Sequence, residues 1–236
     1  MQGAAKVPKL ASAAETRWGS IKKSLETADK SCYLLWSVVG ARNFTTGVAA
    51  KQRQKRTAIA TFIRTADFQR NLKLGIKLLS PIDELIVKYQ NDKIAISEIY
   101  PDFLALISRY RTSPDIDSLQ RDFLVSTIKF YWEFLRADVH LIAYLLDPRY
   151  IGEKLDRTDR ASVERMVVTY AFVVEGDILV ELDNFMEHAQ SDKDSNNAEY
   201  CLYFAEENPR KPKGWWLKYG HYYPSLKPFA MKIFSL

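Results

Sequence analysis

From residue 68 onward the apolar positions recur at helical spacing. Phe68, Leu72, Ile76 and Leu79 fall at offsets 0, 4, 8 and 11. Ile82, Leu85, Ile86 and Tyr89 fall at 0, 3, 4 and 7, behind a helix start at Ser80-Pro81. Ile99, Phe103, Leu106, Ile107 and Tyr110 repeat the pattern. Each set lines one face of a 3.6-residue helix. Arg111 to Asp115, with Ser113 and Pro114 inside it, is a break. Phe123, Leu124, Ile128, Tyr131 and Leu135 then predict a further helix. Val139 to Leu146 predict another, ended by Asp147-Pro148. Met166, Val167, Tyr170 and Val174 follow, then Ile178, Leu179, Leu182, Phe185 and Met186. Ser191 to Glu199 is polar and reads as an exposed loop. Asn208-Pro209 and Lys211-Pro212 bracket a turn. After Pro224 a last amphipathic face runs through Leu226, Phe229, Ala230, Ile233 and Phe234. Only Lys9 to Trp18 hints at a strand. The expected fold class is all-α, with at most one short N-terminal strand.

Composition agrees with long helices, because Gly and Pro number only 9 each in 236 residues. Hydrophobic residues at 47% and charged residues at 27% are an ordinary globular balance. Cys32 and Cys201 are too few to staple a scaffold, so both read as reduced thiols of an intracellular protein. The best apolar run, Val167 to Val174, is far below the ~18 residues that span a bilayer, so no membrane partner is expected. Met1 to Ala14 has no apolar stretch of the kind a secretory signal needs.

Charge is unevenly placed. Residues 1–60 hold 11 Lys/Arg against 3 Asp/Glu, residues 61–207 hold 17 against 26, and residues 208–236 hold 6 against none. If the two basic ends form one face, that face attracts a polyanion; otherwise they are two unrelated solvated stretches.

The chemistry of small-molecule enzymes is missing from the sequence. It has no Gly-rich phosphate loop and no His-Glu-x-x-His pair, and His140, His188 and His221 lie far apart. Neither a cofactor, a metal site nor a small-molecule substrate is expected.

Three segments, in order, resemble the hAT transposase superfamily. The first is Glu15-Thr16-Arg17-Trp18-Gly19-Ser20, leading into a helix over Ile21 to Lys30. The second is Leu145-Leu146-Asp147-Pro148-Arg149-Tyr150, similar to a family segment in which lysine is common where Ile151 stands here. The third is Trp215-Trp216, Tyr223-Pro224, Leu226, Phe229-Ala230 and Ile233. The resemblance implies a remnant of a ribonuclease-H-like core edge over 1–20 and a helical insertion domain over 21–207. It implies the start of a C-terminal dimerisation region over 208–236. In that family the catalytic carboxylates lie before the first segment and just after the third. The chain is therefore expected not to be an enzyme by itself. It is expected to bind DNA non-specifically, including transposon ends, to form a homodimer or join an hAT-like partner, and to reside in the nucleus, otherwise in the cytoplasm. The alternative is a helical protein–protein interaction module without DNA binding.

The DNA-binding candidates are Arg17, Trp18, Lys51, Arg53, Lys55 and Arg56. By resemblance Trp18 stacks on an unpaired base beside a phosphate held by Arg17; in the plainer reading it packs against the helix that follows. Lys51 to Arg56 rest on charge alone, as a phosphate contact, a nuclear-import patch or a solvated helix face. The interface candidates are Trp215, Trp216, Tyr223, Pro224, Leu226, Phe229, Ala230 and Ile233. They form a contact between chains or pack within one.

Overall fold

The computed structural model describes residues 9–13, 18–90, 94–171, 175–195 and 211–235. The fold is all-α, and the described residues contain helices and no strand. Lys9 to Ala13 are irregular and Trp18 already begins a helix, which corrects the expected strand for those positions; residues 14–17 lie outside the described residues. A strand needs a neighbour for its ladder, and here the backbone N–H of Ala11 instead donates to the Thr27 hydroxyl at 3.0 Å.

The chain divides into two compact units, Met1–Gln90 and Asn91–Leu236. This boundary falls inside the stretch 21–207 that the sequence reading kept together.

The first unit holds α1 (Trp18–Lys30), α2 (Cys32–Gly40), α3 (Ala50–Ile63) and α4 (Phe68–Tyr89). Helices α1 and α4 run antiparallel. Lys22 binds Asp83 at 2.8 Å near one end, and Gln69 reaches Asp29 at 3.5 Å near the other. Between them Gly75 permits close approach, since a Cβ there would sit 3.0 Å from a Leu25 methyl. Helix α4 is one element where the sequence predicted two. Pro81 lies within its buried face, and the Ser80 hydroxyl donates to the Ile76 carbonyl at 2.8 Å, offering the backbone a bond where proline removes one. The core is small: Cys32, Val39, Ala60, Ile63, Phe68 and Leu72. Burial raises the pKa of the Cys32 thiol.

The second unit holds α5 (Ile99–Thr112), α6 (Ser118–Leu135), α7 (Asp138–Leu146), α8 (Arg157–Ala171), α9 (Glu175–Asp194), α10 (Lys211–Tyr219) and α11 (Leu226–Ile233). Helices α5 and α6 form a hairpin closed by a capping box between Asp117 and Gln120. Helix α7 is the axis of the core: Leu141, Ile142, Ala143, Tyr144, Leu145 and Leu146 are all buried. Helices α5, α8 and α11 pack round it, with α9 against α8 and α11. Glu181 of α9 accepts from the backbone N–H groups of Ser225 and Leu226, each at 2.8 Å, and so caps α11.

Parts of the loop expected over Ser191 to Glu199 and of the turn expected around Asn208 to Pro212 are helical where they are described. Helix α9 continues to Asp194, where Gln190 donates to Asp194 at 2.7 Å and Lys193 pairs with Glu153. Lys211-Pro212 opens α10, a position that suits proline because the first helical N–H groups have no intrahelical acceptor. Residues 196–210, Cys201 among them, lie outside the described residues.

Candidate functional site

Helix α3 carries the basic cluster, and its geometry splits the four cations. At about 100° per residue, Lys51 and Lys55 share a face, and that face continues into Ile59 and Phe62. Arg53 lies roughly on the opposite side. Lys51, Arg53 and Lys55 are exposed. Arg56 is committed within the chain: it donates to the Phe44 carbonyl at 3.0 Å and its guanidinium lies 5.6 Å from the Phe44 ring centre. It fastens the short 3-10 turn Arg42–Phe44 to α3. No side chain caps the N-terminus of α3, and its first turn holds no acidic residue. Cations therefore sit where the helix dipole is already positive, an arrangement that is unfavourable unless an anion joins it. Arg17 and the side chain of Trp18 lie outside the described residues.

Beside α3, helix α2 buries only Cys32 and Val39. Tyr33, Leu34, Trp36 and Val38 are exposed, as are Ile59 and Phe62 of α3. The pair is held by the Trp36 indole N–H donating to the Ile63 carbonyl at 2.9 Å and by Arg64 donating to the Val39 carbonyl at 2.6 Å.

The segment Leu145 to Tyr150 is a buried charge knot. Asp147 is fully enclosed. Its carboxylate accepts from the backbone N–H of Arg149 at 3.0 Å, from the Arg149 guanidinium at 2.7 and 3.0 Å, and from the Ser97 hydroxyl at 2.6 Å. The Arg149 guanidinium also reaches Glu98 at 3.4 Å and lies 5.0 Å from the Tyr150 ring centre. Burial works against its charge, but Asp147 first, then Tyr150 and Glu98, outweigh that and hold its pKa above the ordinary arginine value. Tyr150 stacks on Tyr144 with ring centres 5.1 Å apart. Ile151 follows at φ 41° and Gly152 at φ 66°, and Arg160 donates to both their carbonyls at 3.0 Å. A β-branched residue at positive φ is strained; the buried Ile151 side chain and the Arg160 clamp hold it there.

The third resembling segment closes the same core. The Trp216 indole donates to the Leu146 carbonyl at 2.9 Å, satisfying the end of α7. Trp215, Trp216, Tyr223, Leu226, Phe229, Ala230 and Ile233 are all buried among these helices, while Pro224 is exposed. A contact between chains through the seven would require α10 and α11 to leave their present packing.

The histidines act locally. His140 accepts from the Ala137 N–H at 3.1 Å at the start of α7, and burial lowers its pKa. His188 pairs with the Tyr223 hydroxyl at 2.9 Å along a groove of about 420 Å³ that Asn184, Glu187 and Tyr222 also line. His221 meets the Lys218 carbonyl at 2.8 Å. Among the described residues no group of three or more His, Cys, Asp or Glu is placed to hold a metal ion. None of the described helices is long and apolar enough to cross a membrane.

Sequence reasoning missed the exposed α2 face, because an apolar run without a period does not say which side is covered. It also missed Ser97 and Glu98, which join Asp147 from about fifty positions away. No family model matches the chain, and no curated protein matches it.

Proposed function

We propose that the chain is a helical module of the hAT transposase type that works by binding, in the nucleus. It contacts nucleic-acid backbone without sequence preference through α3 and associates with protein partners. The observation that carries the DNA reading is the uncapped first turn of α3, with exposed Lys51 and Lys55 on one face. A phosphate there meets two ammonium groups and the positive end of a helix, whereas no base-reading geometry is required. Trp18, from the Thr16-Arg17-Trp18 segment, supplies a stacking face for an unpaired base in this reading.

The test is fluorescence anisotropy with a short duplex carrying a single-stranded end, across a salt series. The intact chain should bind with an affinity that falls as salt rises. Replacing Lys51 and Lys55 together by alanine should lower the slope of log K against log salt by about 2. Trp18→Ala should weaken binding to the single-stranded end by roughly 1–3 kcal/mol and leave plain duplex unaffected. Absence of binding at low salt sinks the DNA reading.

A second reading, a protein-association module without DNA contact, is favoured by the exposed Tyr33, Leu34, Trp36 and Val38 of α2. Contiguous exposed apolar side chains mark surfaces that other molecules cover.

A further inference from the structure

Helix α6 is held to its unit by one face only. Ile128 and Trp132 are buried, and Trp132 packs at ring-centre distances of 4.9 Å from Phe103 and 5.4 Å from Tyr100. The outer face carries a second apolar line. Leu119 is 79% exposed, Phe123 68%, Phe130 69% and Phe134 78%. At 100° per residue these four fall within an arc of about 60° along the whole helix. Core formation does not account for three phenylalanines turned outward in a row, because the inner face of the same helix is already packed.

The spacing of this stripe is 4, 7 and 4 residues, and it reads the same in both directions. Its midpoint falls between Ser126 and Thr127, two small residues where helices can approach. We propose that this face is an isologous interface, on which α6 of a second copy of the chain lies antiparallel. In that register Leu119 meets Phe134 of the second copy and Phe123 meets its Phe130, and the two-fold axis repeats both contacts. Eight large side chains then leave water. With aromatic side chains each carrying roughly 150–250 Å², the burial is on the order of 1,000 Å², at the threshold of a specific interface.

The rim fits the same partner. Exposed Asp122 and Lys129 lie on one flank of the stripe, and like flanks face each other in an antiparallel pair. Asp122 comes within about 3 Å of level with Lys129 of the second copy along the axis. Glu133, on the same flank, is engaged by Arg136 at 3.3 Å within its own chain. The proposal stands apart from the DNA reading, which concerns the other unit. It also differs from an association through Trp215, Trp216, Tyr223, Leu226, Phe229, Ala230 and Ile233, whose side chains are buried.

Sedimentation equilibrium of the full chain tests it. The chain should associate to a dimer in the micromolar range, and Phe130→Glu should weaken that association at least 100-fold with the circular dichroism spectrum unchanged. The register is tested by mixing Phe123→Cys with Phe130→Cys under mild oxidation. Mass spectrometry should find disulfides between position 123 of one copy and 130 of the other, well above 123–123 or 130–130 pairs. A chain that stays monomeric throughout the micromolar range overturns the proposal. So does a dimer indifferent to Phe130→Glu. A predominance of like-with-like disulfides overturns the antiparallel register. Should Phe130→Glu lose helicity, the cysteine pairing still decides.

Discussion

The two units treat equally apolar helices in opposite ways. Helix α7 of the second unit has buried residues at all six positions from Leu141 to Leu146, surrounded by neighbouring helices. Helix α2 of the first unit, just as apolar in sequence, buries two residues and leaves Tyr33, Leu34, Trp36 and Val38 to solvent. The second unit also pairs Asp147 with Arg149 and satisfies ends of α6, α7 and α11 with side chains. The first leaves the basic start of α3 uncapped. The larger buried core lies in the second unit, and the unbalanced surface in the first. The segments that resemble a known family and fall on described side chains, Leu145 to Tyr150 and Trp215 to Ile233, belong to the unit with the larger core. They report how the core is closed rather than what the surface meets.

Alkaline titration should break the symmetry most strongly. Tyr144, Tyr150 and Tyr223 all lie in the second unit, and burial, first among the causes, pushes each to about 12. An unfolded tyrosine ionises near 10, so between pH 10 and 12 the unfolded chain releases protons that the folded unit keeps. Stability is fully present below pH 10 and is lost as pH rises through 12. Each tyrosine contributes about 1.4 kcal/mol per pH unit across that window. Denaturant midpoints followed by hydrogen exchange should fall steeply for α7, α9 and α11. Tyrosinate absorbance should show late-titrating groups, Tyr144, Tyr150 and Tyr223 among them. Titration of all thirteen tyrosines near pH 10 would contradict the enclosed core.

The next largest effect is expected from Asp147→Ala. It takes from the half-buried Arg149 its closest carboxylate, with Glu98 at 3.4 Å, and removes the acceptor of the Ser97 hydroxyl. Breaking a buried pair by deleting one partner costs about 3–5 kcal/mol, mostly from the charge left behind. Denaturant unfolding should register the loss in the second unit, with α1 to α4 keeping their exchange protection. A loss below about 1 kcal/mol would mean that water reaches the knot and that the segment is not what closes this core.

Much of the second unit was legible in the sequence because α5, α8, α9 and α11 bury residues at helical spacing. The breaks at Ser113-Pro114 and Asp147-Pro148 fall where helices end. Periodicity failed where both faces of a helix are apolar. On α6 it grouped Phe123 with Leu124 and Ile128, yet Phe123 points outward. Nothing local tells an inner apolar line from an outer one when the partner of one is another molecule or water. It failed again at Pro81, where a local side-chain bond lets the helix continue. The basic cluster was legible as charge but not as geometry, since the tie of Arg56 to Phe44 depends on how a short turn folds back. The Asp147 knot was legible as a motif only. Its partners Ser97 and Glu98 lie in a 3-10 turn that pattern does not connect to it.

The smallest predicted effect bears most directly on function. Lys51 and Lys55 lie within the first turns of α3, against the helix dipole, with exposed side chains. Their replacement by alanine should therefore raise the stability of the first unit, by about 0.3–1 kcal/mol in total at low salt. The gain should shrink as salt screens the charges, since exposed groups more than a Debye length of about 10 Å apart interact little at 0.1 M. Thermal unfolding of the double variant across a salt series measures it, with exchange of α3 assigning the change to that helix. A loss of stability would mean that the lysines hold something within the chain, as Arg56 does, and the contrast between a closed unit and an open one would fail at the place where it matters. A gain, together with weaker salt-dependent DNA binding by the same variant, would show two cations kept in place at the expense of the fold, for contact with an anion outside it.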